Sequence, residues 1–137
     1  QFRAENVFVG KHNEKGVAEG FARMDFAKQA MPLDNEPIAI DAAQLFALCK
    51  ERNINHLIYC GFCINWCLLL SPGGMADMNR YGILCSAVRD AVCAVENKQT
   101  ADEEIAKELA LWRVALAFGF VFESKALISG LKPSAEN

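Results

Sequence analysis

Of the six cysteines in the 137-residue chain, Cys67 is the one placed where a thiol could do chemistry. It lies in the stretch from His56 to Leu70, HLIYCGFCINWCLLL. An apolar run suited to a strand (Leu57, Ile58, Tyr59, Cys60) reaches Gly61, a short turn follows, and Cys67 opens a second apolar run. This reads as strand, tight turn and helix start, with Cys67 in the first helical turn. Gly61 can adopt backbone angles closed to other residues, so the chain can reverse there. Asn65 is the expected cap of the helix, accepting from an N–H two or three residues on. A thiol so placed meets unpaired N–H groups and the positive end of a helix dipole, which favour thiolate over thiol. The same N–H groups could hold an oxyanion formed on an attacked carbonyl. The competing reading is structural, because a cysteine beside three leucines is commonly core.

Lys11 is the second candidate. It follows a predicted strand, Val7-Phe8-Val9, and Gly10, and a polar loop comes after it. The carboxyl end of a strand is where open α/β sheets bind ligands. A solvated surface lysine is the alternative, and Lys15 is the fallback for the same role. Cys60, Cys63 and Cys67 could suggest zinc. No second Cys/His pair stands at ligand spacing, so no metal or other cofactor is expected.

The stretch Gly61-Phe62-Cys63-Ile64-Asn65-Trp66-Cys67-Leu68 resembles the nucleophile segment of the isochorismatase-like cysteine hydrolases, the family of nicotinamidases and carbamoylsarcosine amidohydrolases. The lead-in from Leu45 to Tyr59 and the later Arg89-Asp90-Ala91 fit as well, and the resemblance extends from about Asp41 to Leu131. It implies a cis peptide at Phe62-Cys63 and an oxyanion hole formed by the N–H groups of Cys63 and Cys67. It also gives Cys67 and Lys11 catalytic roles, implies a pocket lined by Phe21, Phe62 and Trp66, and makes Asp90 structural. The family opens with a strand bearing an aspartate that takes the thiol proton. Here the only acid before Lys11 is Glu5. The chain therefore reads as N-terminally incomplete, or as lacking that base. A free thiol of pKa ~8.5 is only a few per cent ionised at neutral pH, so the missing base matters.

The elements that must position these residues are legible in outline. Residues 19–37 form a long connection, read as a partly helical lid. Ile40 to Arg52 is helical, with Leu45, Leu48 and Cys49 on one face. Pro72 should break the helix begun at Cys67, which resumes from Met75 and ends at Gly82. Ile83 to Val88 is a buried strand with Arg89-Asp90 at its carboxyl end. Thr100 to Glu103 reads as a capping box for a helix from Ala101 to Phe118 that buries Ile105, Leu109, Trp112 and Leu116. Phe120 to Phe122 is the last strand, Ser124 caps a helix to Leu131, and a polar tail follows. Strands alternating with helices imply an α/β fold, a three-layer αβα Rossmann-like arrangement with a mostly parallel sheet and its N-terminal strand absent. One domain over 1–137 is expected.

Composition narrows the function. At 53% hydrophobic residues the chain can build a core, and a net charge of −3 without a basic cluster argues against nucleic acid. No apolar run approaches the ~20 residues of a membrane span. Cysteines inside apolar segments fit reduced thiols and a cytoplasmic setting. The expected activity is hydrolysis of a small amide or related C–N bond through a Cys67 thioester, in a homo-oligomer acting on a small molecule. A catalytically silent subunit with a binding or assembly role is the alternative. A nucleotide-binding module is disfavoured, because no G-x-G-x-x-G follows a strand.

Overall fold

The apolar runs on either side of Pro72 and Gly82 become neighbouring parallel strands. The computed structural model describes residues 1–7 and 9–131. Where the sequence reads as one domain, the chain divides into two compact units, Gln1–Ile38 and Ala39–Asn137.

The first unit holds α1 (Phe2–Asn6), α2 (Glu14–Phe21) and a single 3-10 turn at Lys28–Ala30. The strand expected at Val7-Phe8-Val9 is not formed at its described residues. Val7 closes α1 by donating to the Arg3 carbonyl at 3.0 Å, Val9 lies in a turn, and Phe8 is outside the described residues. Lys11 therefore follows a helix, and its N–H turns back to the Glu5 carbonyl at 3.2 Å. The reason is that a lone three-residue run needs a ladder partner, whereas a helical turn satisfies its own backbone.

The second unit is α/β. It runs α3 (Ala42–Glu51), β1 (His56–Phe62), α4 (Cys67–Leu70), α5 (Met75–Arg80), β2 (Leu84–Cys93), α6 (Ile105–Ala117), β3 (Val121–Phe122) and α7 (Ser124–Leu131). The sheet is parallel throughout, in the order β1-β2-β3. Asp41 caps α3 by accepting from the Gln44 N–H at 2.8 Å. Crossovers of one hand that advance in one direction keep their helices on one face of the sheet. The core agrees: Cys49 of α3, Met75 and Met78 of α5, and Ala110, Leu111 and Val114 of α6 share one cluster with Cys85 and Ala87. The opposite face carries Ile58 beside Ser86 and Val88 beside Phe122, and α7 packs on β2.

Two expectations change. β2 does not stop at Val88 but continues to Cys93, because its pairing with β1 jumps from Tyr59↔Ala87 to Gly61↔Val92. The extra residues bulge out of the ladder, so Arg89 and Asp90 lie within the strand rather than at its end. The capping box at Thr100 does not form. Helix α6 starts at Ile105 after a left-handed Glu104, and the Glu96 carboxylate accepts from the Ala106 and Lys107 N–H groups at 3.1 and 2.9 Å. The buried face of α6 is accordingly Ala110, Leu111 and Val114, while Ile105, Leu109, Trp112 and Leu116 are exposed.

The buried thiols give the core a pH limit. Burial, the main cause, pushes Cys85 from 9.0 to about 11, and it raises Cys49 and Tyr59 as well. A raised thiol pKa means that the fold favours the neutral form. That stability is complete below pH 9 and is lost as pH rises toward about 11. For Cys85 alone the loss amounts to about 2–3 kcal/mol. Urea unfolding at pH 9 and pH 11 should show the fall, and Cys85→Ala should flatten it.

Candidate active site: the turn from β1 into α4

The turn is fixed from three sides. Gly61 takes φ +108°, which lets β1 deliver the chain into the reversal. Ile64 is fully buried, and its N–H donates to the Cys93 carbonyl at 2.8 Å, tying the turn to the end of β2. The Cys63 carbonyl accepts from the Trp66 and Leu68 N–H groups at 3.0 and 3.1 Å, closing the loop into α4. The Phe62-Cys63 peptide bond is cis, at the position where the family resemblance implies one.

Asn65 does not cap the helix. Its side-chain amide donates to the Val95 carbonyl and its oxygen accepts from the Val95 N–H, both at 2.9 Å. Trp66 occupies the N-cap position with no side-chain cap bond. Asn65 is thus spent on pinning the turn to the segment beyond β2.

Cys67 is the first residue of α4, and its side chain is exposed, whereas Leu69 turns into the core. Among the described residues, neither the Cys63 N–H nor the Cys67 N–H donates a backbone or turn hydrogen bond. Two donors of the expected oxyanion hole are therefore free, on the same short loop as an exposed sulfur. Phe62 and Trp66 flank it at 73% and 58% exposure. Helix α4 has only four residues, so it carries little macrodipole.

Lys11 and Phe21 belong to the first unit, and Cys63, Cys67, Phe62 and Trp66 to the second. Lys11 is exposed, Phe21 ends α2, and Lys15 lies 3.8 Å from Glu19 one helical turn on. Among the described residues no group of three or more His, Cys, Asp or Glu is placed to hold a metal ion. No described helix is long and apolar enough to cross a membrane. No family model matches the chain, and no curated protein matches it.

Asp90 is structural in this arrangement. Its carboxylate accepts from the Ser124 N–H at 2.8 Å and from the Ser124 hydroxyl, anchoring the start of α7 to β2. These bonds hold its pKa below the ordinary carboxylate value, so the anchor is present near neutrality and is lost in acid. Asp90→Ala should fray α7, seen as faster amide exchange at Leu127 and Ile128 than in the native protein.

The sequence reading passed over Cys93. It pairs with Phe62 at the end of β2 and stands beside Cys63. Burial first, then the proximity of Cys93 and Cys67 and a side-chain hydrogen bond with Cys93, push the Cys63 thiol up. The available signal was a cysteine ending each of two adjacent apolar strand segments, whose register only the bulge in β2 sets.

Proposed function

We propose that the protein is a cysteine hydrolase of isochorismatase-like type that cleaves a small amide or related C–N bond. The observation that carries this reading is the exposed Cys67 sulfur beside two free N–H donors on the β1–α4 turn. The sulfur attacks the carbonyl carbon, and the Cys63 and Cys67 N–H groups receive the oxyanion. Removing one such donor typically costs ~10²–10³ in turnover. The C–N bond breaks, the amine leaves with a proton, and water cleaves the thioester to return the thiol. Homo-oligomeric assembly and a cytoplasmic setting belong to the same reading.

The single turn of α4 favours a second reading, a catalytically silent subunit with a binding or assembly role, because four residues carry little helix dipole to assist a reaction at their start. Rapid acid quench during incubation with a panel of small primary amides, followed by peptide mapping, separates the two. The hydrolase reading expects an acyl group on the peptide holding Cys67. Neither turnover nor adduct across the panel would leave the silent subunit.

A further inference from the structure

We propose that Cys63 and Cys93 are an oxidisable dithiol beside Cys67, a modification site that closes to a disulfide under peroxide. The backbone places the pair. Phe62 is the Cα partner of Cys93 across the β1–β2 ladder, and the Ile64 N–H donates to the Cys93 carbonyl at 2.8 Å. Cys63 lies between those two residues, so it is tied to Cys93 on both sides. Neighbouring strands lie ~4.7–4.9 Å apart and the chain advances ~3.3 Å per residue, so the residue next to the Phe62↔Cys93 pair falls within the ~4.4–6.8 Å Cα span that disulfides bridge. Cys93 is exposed and Cys63 partly so, whereas Cys49 and Cys85 are buried. After burial, the proximity of Cys93 is the next cause that raises the Cys63 thiol.

The exposed Cys93 reacts first. Its thiolate attacks one peroxide oxygen and the O–O bond breaks, giving a sulfenic acid and water. The Cys63 thiolate then attacks that sulfur. The S–S bond forms, the S–O bond breaks, and hydroxide leaves and is protonated. Two thiols lose two hydrogens and one peroxide becomes two waters. The raised Cys63 pKa makes closure faster in mildly alkaline than in neutral solution. The resulting bond would clamp the β1–α4 turn to the end of β2, fixing one of the two free N–H donors.

The proposal stands apart from the hydrolase reading, because its readout is a mass rather than a turnover. Full-length protein is treated with stoichiometric hydrogen peroxide, alkylated and mapped without reduction. The expected product is a linked peptide pair holding Cys63 and Cys93, with Cys67 alkylated as a free thiol. Cys67→Ser should keep the link, and Cys93→Ser should abolish it with the circular dichroism of the fold unchanged. A Cys63–Cys67 link in the native protein, or separate oxidation of single cysteines with no link, would overturn the proposal.

Discussion

Replacing Cys67 by serine is expected to lower amide turnover by about 10³-fold or more, the equivalent of about 4 kcal/mol in the barrier. The change exchanges one atom at an exposed position, so the β1–α4 turn and both N–H donors should persist. What is lost is the nucleophile. A thiol is partly ionised near neutrality, whereas a hydroxyl needs a strong neighbouring base. Knocking out a nucleophile in an intact site can cost ~10⁶, and the oxyanion donors keep a residual rate. The measurement is kcat/KM for wild type and variant on the same amide, with melting temperatures compared as a control. Equal kcat/KM would show that another group attacks, and the turn would then be a structural reversal only.

Gly119→Ala should destabilise the second unit by about 3 kcal/mol or more, at the severe end of overpacking. A Cβ at this position would collide with the Cys85 carbonyl oxygen and lie 2.7 Å from the Ser86 hydroxyl. Neither neighbour can yield. The Cys85 N–H donates to the Phe118 carbonyl at 3.1 Å, and the Ser86 hydroxyl accepts from the Phe120 N–H at 2.8 Å, so both sides of the close approach are hydrogen-bonded across the β2–β3 seam. Gly130 is the control. It sits in α7 with nothing within 4 Å of an added Cβ, and Gly130→Ala should stabilise by ~0.5–1 kcal/mol. Urea unfolding of the three proteins tests both signs. Similar stabilities for native protein and Gly119→Ala would mean that β2 and β3 approach less closely than described.

The parts of the fold that were legible are those determined locally. An apolar run ending in Gly61, the break at Pro72 and the stop at Gly82 each act within a few residues, and β1, α4 and α5 fall where they imply. The illegible parts depend on distant partners. Asn65 has the position of a cap in the sequence, and its competing partner, the Val95 backbone, lies 30 residues away. Glu96 displaced the Thr100 capping box from ten residues upstream of the N–H it binds. The buried face of α6 is not legible because the helix is apolar nearly all round, from Ile105 through Ala117, so spacing alone cannot choose between Trp112 and Leu111. At the candidate site the exposed sulfur and its turn were legible. The pairing that brings Cys93 to Cys63 was not, because it follows from a bulge in β2.

The β2–β3 seam has one more consequence, for an imidazole ring. The fully buried Ser86 oxygen takes the Phe120 N–H and lies 2.7 Å from His56 Nε2. The hydroxyl has one hydrogen and two lone pairs, and the Phe120 N–H occupies one lone pair, so Ser86 can meet the imidazole nitrogen either as donor or as acceptor. The His56 ring is thereby tethered through Nε2 to a serine on the neighbouring strand, and Ser86→Ala should release it.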